Sequence, residues 1–326
     1  MNRRHFLSIV AGGAAWPLRV RAQQPAVPVI GFLHSGAAAQ YVERLATFRK
    51  GLAQAGLIEG KTFTVEYRWA DGQVDRLPEL AADLVRRQVA VIATPFSTDA
   101  ALAAKAATKT IPIIFVSSAD TVRIGLVASL NRPGGNITGV TTLNTELAPK
   151  RLELLRTLVP SASRYFALVN PTSDLAEPFI RDIEAAATTL GIRIEFLRAS
   201  NDSELDEVFG SIPQPSRGVL VSSTDALFFA RRERIAALAI RVGLPAIFDA
   251  RIYTLAGGLM SYAGDDNDMM LLAVNYIGRI LRGEKPADLP VVQPTKLALT
   301  INLKTARALG LDVPPSLLAT ADEVIE

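Results

Sequence analysis

Residues 89–116 read VAVIATPFSTDAALAAKAATKTIPIIFV. Val89 to Ala93 is an apolar run of strand length that ends in the polar loop Thr94-Pro95-Phe96-Ser97-Thr98. An alanine-rich stretch of helix length runs from Ser97 to Ala107, and a second apolar run, Ile113 to Val116, follows Pro112. Short apolar runs without polar alternation mark strands covered on both faces. Two such strands joined through a helix pair in parallel, because only a parallel pair needs a crossover of that length.

The same unit recurs in both directions. Before it, Val27 to Leu33 reads as a buried strand and Tyr41 to Ala55 as a helix, with Leu45, Phe48 and Leu52 at helical spacing and Gly56 as its stop. Thr62 to Arg68 is the next strand and Leu77 to Arg87 the next helix, and Ile137 to Thr141 closes this half. The pattern then restarts with helices at Pro149 to Leu158, Glu177 to Leu190, Ser203 to Phe209 and Ala226 to Val242. Strands at Tyr165 to Val169, Arg193 to Leu197, Val219 to Ser222 and Ala246 to Phe248 alternate with them. The fold class is α/β, two doubly wound parallel-sheet lobes, and 326 residues suit two domains. A strand at Leu259 to Tyr262, a helix at Asp268 to Leu281, a strand at Leu297 to Leu303 and a terminal helix are too little for a third domain.

Composition removes several function classes. With 49% hydrophobic and 21% charged residues the chain is ordinary globular protein. It has no Cys, which excludes disulfides, thiolate catalysis, Cys-type zinc sites and a lipid anchor on an N-terminal Cys. Neither a Gly-x-x-x-x-Gly-Lys-Ser/Thr loop nor a Gly-x-Gly-x-x-Gly turn follows a strand, so no nucleotide cofactor is indicated. After residue 22 the single histidine is His34; a His-rich metal site cannot form, and His34-Ser35 lacks the nucleophile elbow of a hydrolase. His34 reads as a loop residue or a ligand contact. No cofactor, no metal ion and no enzymatic activity are expected. Arg86-Arg87 and Arg231-Arg232 lie on separate helix faces without interleaved aromatics, which argues against nucleic acid.

The first residues form an address. Arg3-Arg4-His5-Phe6-Leu7, a short apolar run to Ala15 and the sequence Val20-Arg21-Ala22 match the three regions of a cleavable export signal, residues 1–22, cut after Ala22. Paired arginines ahead of Phe6-Leu7 resemble the twin-arginine signature. The chain's formal charge of +3 comes from this segment. It holds four arginines and no acid, so residues 23–326 carry 31 basic side chains (35 less 4) against 32 acidic ones. The apparent attraction to polyanions disappears with the signal, and a periplasmic protein without a lipid anchor is expected.

In doubly wound sheets ligands bind at the carboxyl ends of the strands. Two such lobes share a crevice, and the loops that reach it carry the candidate ligand-binding residues Ser35, Thr94, Phe96, Ser97, Ser117, Ser118, Asn170, Thr224, Asp225 and Asp249. Ser97 is an N-cap candidate, and the amides beyond it can hold a carboxylate. Phe96 either stacks on a ligand or covers the core. Asp225 either meets a ligand ammonium or caps the helix that begins at Ala226. The ring of hydroxyls, amides and carboxylates suits a zwitterion or small polar molecule, with no group placed to react with it.

Leu130-Asn131-Arg132-Pro133-Gly134-Gly135-Asn136-Ile137-Thr138-Gly139-Val140 carries a family likeness, together with Ala93-Thr94-Pro95, Thr224-Asp225, Gly257-Gly258-Leu259-Met260-Ser261-Tyr262 and the stretch Ala298 to Leu311. Over Val27 to Glu326 the chain resembles the ABC transporter substrate-binding protein family that includes tryptophan-binding, TrpX-like members. The likeness implies a type I periplasmic binding fold with three crossings at the hinge. Lobe 1 would comprise residues 27–141 and 249–283, and lobe 2 residues 142–248 and 291–326. It implies lobes that close over a small ligand and deliver it to an ABC permease in the inner membrane; with the export signal and the non-reactive polar cleft, the expected ligand is an amino-acid-like or aromatic carboxylate, and a monomer is expected. Asp225 would hold the ligand's amino group. A sensing role at a membrane receptor uses the same lobes and stays open at this stage. An exported α/β hydrolase or isomerase lacks its nucleophile, metal and cofactor motifs.

Overall fold

The computed structural model describes residues 27–326 apart from 143, 145, 294 and 295; the export signal read at 1–22 lies outside the described residues. The first sheet contains β1 (Val29–His34), β2 (Thr64–Trp69), β3 (Val91–Pro95), β4 (Ile113–Ser117) and β5 (Ile137–Thr141). Its order is β2-β1-β3-β4-β5, parallel throughout. Its connections include α1 (Val42–Gln54), α2 (Leu77–Arg86) and α3 (Thr98–Ala107). Successive strand residues serve opposite faces: Val91 and Ala93 join one apolar cluster and Ile92 the other. Both faces are thereby covered, as the unbroken apolar runs require.

The second lobe runs α4 (Ala148–Leu158), β6 (Arg164–Val169), α5 (Ala176–Leu190), β7 (Ile194–Arg198), α6 (Asp202–Gly210), β8 (Gly218–Ser222), α7 (Ala226–Ala230), α8 (Arg232–Arg241), β9 (Ala246–Phe248), α9 (Arg251–Leu255) and β10 (Met260–Gly264). The chain then returns to the first lobe as α10 (Asp266–Leu281), which packs on α1 and on β3, β4 and β5. It ends in the second lobe with β11 (Leu297–Asn302), α11 (Leu303–Ala308), α12 (Pro315–Thr320) and β12 (Glu323–Ile325). That sheet has the order β12-β11-β10-β9-β8-β6-β7, and β11 runs antiparallel to β10. Among the described residues no helix is long and apolar enough to cross a membrane.

Two expectations need correction. The boundary placed at residue 249 belongs at 264–266, because β10 hydrogen-bonds to β9 and β11 inside the second sheet and only α10 joins the first lobe. The single helix expected over 226–242 is two, since Arg231 leaves helical geometry at φ −107° and ψ 17°.

The Pro-Gly-Gly-Asn run builds the entry to β5. Gly134 and Gly135 take φ of 74° and 66°, a left-handed turn that side chains disfavour. Asn136 then donates from Nδ2 to the Thr108 and Ile111 carbonyls at 3.3 and 2.6 Å. Gly139 pairs with Phe115 so closely that a Cβ would lie 2.1 Å from the Phe115 carbonyl oxygen.

The lobes are closed on one another. Tyr41, just ahead of α1, stacks on Phe229 of α7 with centroids 4.9 Å apart, and it belongs to the second lobe's apolar cluster. Across the interface Arg123 donates to both carboxylate oxygens of Asp182 at 2.9 and 2.8 Å. At the hinge, Arg151 of α4 is 1% exposed. It donates to the Tyr262 carbonyl at 2.9 Å and to the Asn144 carbonyl and Oδ1 at 2.6 and 3.2 Å. One guanidinium thus ties the first crossing to the strand that leads into the second. Burial pushes its pKa down to about 10, still charged at neutral pH. Arg151→Met leaves these buried acceptors unpaired and is expected to lower the unfolding free energy by about 3–5 kcal/mol. Urea titration reads this directly; a change below about 1 kcal/mol contradicts the assignment.

Candidate functional site

The carboxyl ends of the strands in both lobes face one shared space. Ser35, Phe96, Ser97, Thr98, Asp99 and Ser118 line it from the first lobe, and Thr224, Asp225, Phe229 and Asp249 from the second. Hydroxyls are tied into a shelf on the first-lobe side. Ser97 Oγ accepts from the Ser35 amide at 3.1 Å and donates to Ser35 Oγ at 3.0 Å. Thr98 Oγ1 bonds Ser117 Oγ at 3.0 Å and accepts from the Ser118 amide at 3.2 Å. Ser97 does occupy the N-cap position of α3, but its hydroxyl makes no capping bond. The expected cap is therefore replaced by the bond to Ser35, and the first-turn amides of α3 carry no side-chain cap.

On the second lobe Asp225 caps α7. Its Oδ1 accepts from the Leu227 and Phe228 amides at 2.8 and 3.2 Å, and its Oδ2 accepts from Asn170 Nδ2 at 3.1 Å. The carboxylate still lines the shared space, so capping fixes its aim. Asp249 is 5% exposed, and Oδ1 of Asp249 and Oδ1 of Asp99 have no hydrogen-bond partner among the described residues. Burial raises the pKa of all three acids. Asp99 reaches about 7, with Asp174 and Asp225 adding repulsion, and Asp225 reaches about 6 despite its hydrogen bonds. Asp249 rises too, against the opposing charge of Arg151.

Aromatic rings close the remaining walls. Phe96 sits at φ 55°, a strained conformation for a bulky residue, and such outliers gather at ligand sites. Arg44 of α1 places its guanidinium carbon 4.0 Å from the Phe96 centroid and 3.8 Å from that of Phe229, and pairs with Asp266 at the start of α10.

Of the ten residues expected from the sequence, seven line the space: Ser35, Phe96, Ser97, Ser118, Thr224, Asp225 and Asp249. Thr94, Ser117 and Asn170 stand behind it. Thr94 lies within β3, Ser117 supports Thr98 and the Ala119 amide, and Asn170 holds Asp225. Sequence reasoning missed Tyr41, Arg44 and Phe229, which sit inside or beside helices, and also Asp99 at the start of α3 and Asn144 in the loop after β5. His34 is 1% exposed among Phe32, Tyr41 and Trp69, with Nδ1 accepting from the Gly36 amide at 2.8 Å. Burial lowers its pKa to about 3, and it is a neutral support outside the lining.

The raised acids give stability a definite pH dependence. An acid whose pKa is higher folded than unfolded contributes stability that is complete below the unfolded pKa and is lost as pH rises through the folded one. For Asp99 that window runs from its ordinary 3.8 to about 7. Asp99→Asn is expected to melt higher than the parent at pH 8, with the difference vanishing near pH 4. Differential scanning calorimetry across this range checks it; a variant that melts lower at pH 8 contradicts it.

Comparison with known proteins agrees with the geometry. A protein of Clostridioides difficile (strain R20291) named "Tyrosine-binding protein" is 26% identical over 264 residues, 81% of this chain and 75% of the relative. A Streptococcus pneumoniae ABC domain solved in complex with L-Trp superposes with a TM-score of 0.80 at 24% identity, covering 91% of this chain and 99% of that one. The ligand-free, open structure of a Clostridium difficile substrate binding protein, at 22% identity and covering 92% and 99%, superposes with a TM-score of 0.63. These are type I periplasmic binding folds, and the curated relative is a binding protein, not an enzyme. The sequence model described as "ABC transporter substrate binding protein" matches residues 27–325, and the chain belongs to that family.

Proposed function

We propose that this chain is the exported receptor of an ABC importer and that it captures an amino acid, preferentially an aromatic one, between its closing lobes. The observation that carries the reading is the convergence of three carboxylates, buried Asp249 and the partly buried Asp99 and Asp225, from both lobes on one space. Their raised pKa values mean that the closed form bears uncompensated negative charge, which an ammonium group relieves. The uncapped amides at the start of α3 and the hydroxyl of Ser35 suit the ligand's carboxylate. Phe96, Phe229 and Tyr41 supply the apolar wall. The tyrosine-binding relative and the L-Trp complex support the same ligand class.

In this reading the twin-arginine segment delivers the folded monomer to the periplasm, cleavage after Ala22 frees it without a lipid anchor, and the closed lobes dock on the permease. Ligand shifts the balance between open and closed lobes by its differential affinity for the closed one.

Thermal shift against the amino acids tests the reading. A ligand at a hundredfold its Kd stabilises the protein by about 2.7 kcal/mol, and no shift with any amino acid would sink the proposal. Two signatures are expected by titration calorimetry with L-tryptophan or L-tyrosine. Asp249→Ala weakens binding by about 2–5 kcal/mol through loss of a buried charge pair. Affinity also falls as pH drops from 8 to 5, because Asp99, at about 7, and Asp225, at about 6, take up protons and cease to attract the ammonium. Affinity that is flat over this range contradicts the role of these carboxylates.

A further inference from the structure

The space between the lobes where the three carboxylates meet measures about 40 Å³. That is room for two or three waters, whereas sites for small organic ligands measure roughly 300 Å³ or more. A ligand can reach the three carboxylates in this arrangement of the lobes only if a side chain leaves. Most of the lining cannot leave: Asp225 is fixed by its cap and by Asn170, and Phe229 and Tyr41 belong to the second lobe's apolar cluster.

Arg44 can. Its side chain is long, 17% exposed, and borders both the shared space and an open groove of about 540 Å³ beside it. Asp266, its ion-pair partner, borders both as well. The groove's other walls carry Asp265, Asp322 and Glu323 together with Arg232 and Arg251, the last of these paired with Glu323. The guanidinium can therefore swing into the groove without losing its carboxylate, and the added volume joins the two spaces.

What Arg44 leaves behind has a defined shape. Its guanidinium is flat and is held between one ring of each lobe, with Phe96 at 4.0 Å and Phe229 at 3.8 Å from Cζ. A planar guanidinium stacks on aromatic faces much as another ring does. Resting on the reading of the cleft as an amino-acid site, we infer that Arg44 is a displaceable plug and that the Phe96–Phe229 slot it fills is the seat of the ligand's aromatic side chain. Displacing Arg44 costs every ligand alike, and only a flat group recovers both ring contacts, so the slot favours an aromatic side chain.

The test compares the full chain with its Arg44→Ala and Phe229→Leu variants by titration calorimetry with L-tryptophan, L-tyrosine and L-leucine, after circular dichroism confirms folding. Arg44→Ala is expected to bind L-tryptophan and L-tyrosine about tenfold more tightly, the competition from one guanidinium–ring contact, and Phe229→Leu about tenfold more weakly. L-leucine, which must displace the same guanidinium, is expected to gain about tenfold with Arg44→Ala as well, but to move less than threefold with Phe229→Leu. In the ¹⁵N spectrum the Arg44 side-chain signal, identified by its absence from Arg44→Ala, is expected to lose its ring-current shift when L-tryptophan is added. An Arg44→Ala chain that binds these ligands equally or more weakly, or an Arg44 signal unmoved by L-tryptophan, overturns the plug while leaving the amino-acid site intact. If neither the parent nor Arg44→Ala binds any of the three, both readings fall.

Discussion

A buried arginine holds the hinge, and the site depends on where the hinge holds the lobes. Arg151 bonds the Asn144 carbonyl and side chain in the first crossing and the Tyr262 carbonyl ahead of the second. Asn144 in turn donates from Nδ2 to the Asp249 carbonyl at 3.1 Å, so the same network reaches a residue of the cleft. Arg151's charge also opposes the upward shift of the Asp249 carboxyl. A fully buried guanidinium costs desolvation, and it persists because each of these acceptors would otherwise be buried without a partner.

With the lobes held this way, the carboxylates on their facing rims lose water together. Asp99 comes from the start of α3, Asp225 from the cap of α7 and Asp249 from the turn after β9, and each is pushed toward its neutral form mainly by burial. A polar group buried without full compensation destabilises the state that buries it. The closed lobes thus oppose themselves until something positive enters. That is the property a capture protein needs, since a receptor that closed equally well alone would gain nothing from its ligand.

The fold was legible because its signals are local. Val89 to Val116 contains a buried strand, a crossover helix and the next strand, and the rule that ligands sit at strand ends then picked out seven of the residues that line the cleft. The Pro-Gly-Gly-Asn run proved structural for reasons that are also local, two left-handed glycines and a third with no room for a Cβ. Much of what sequence reasoning missed lies in or at the start of helices. Phe229 fits the apolar period of 226–242 as well as any core residue, and nothing in that period shows that the helix breaks at Arg231 or that the ring faces the other lobe. Arg44 looks like one more solvated helix charge. The crossing at 264–266 was misplaced because Met260–Gly264 is as apolar as a first-lobe strand, and only its hydrogen bonds to β9 and β11 assign it.

Closure without ligand is a balance of contacts that cross the interface. The Tyr41–Phe229 stack, the Arg44–Phe229 contact and the Arg123–Asp182 pair favour it, and the three carboxylates oppose it. The Arg123–Asp182 pair is partly exposed on both sides, with side chains 34% and 21% accessible, so its contribution is of the order of 1 kcal/mol or less. The ring contacts are better shielded and carry more. An aromatic amino acid changes both sides of this balance at once. Its ammonium removes the repulsion, and its ring replaces a guanidinium between the same two phenyl groups, so that the stacked geometry survives the exchange. An aliphatic amino acid offers only the first of these, and a neutral aromatic molecule only the second. Discrimination then follows from the requirement that both exchanges occur in one closed state.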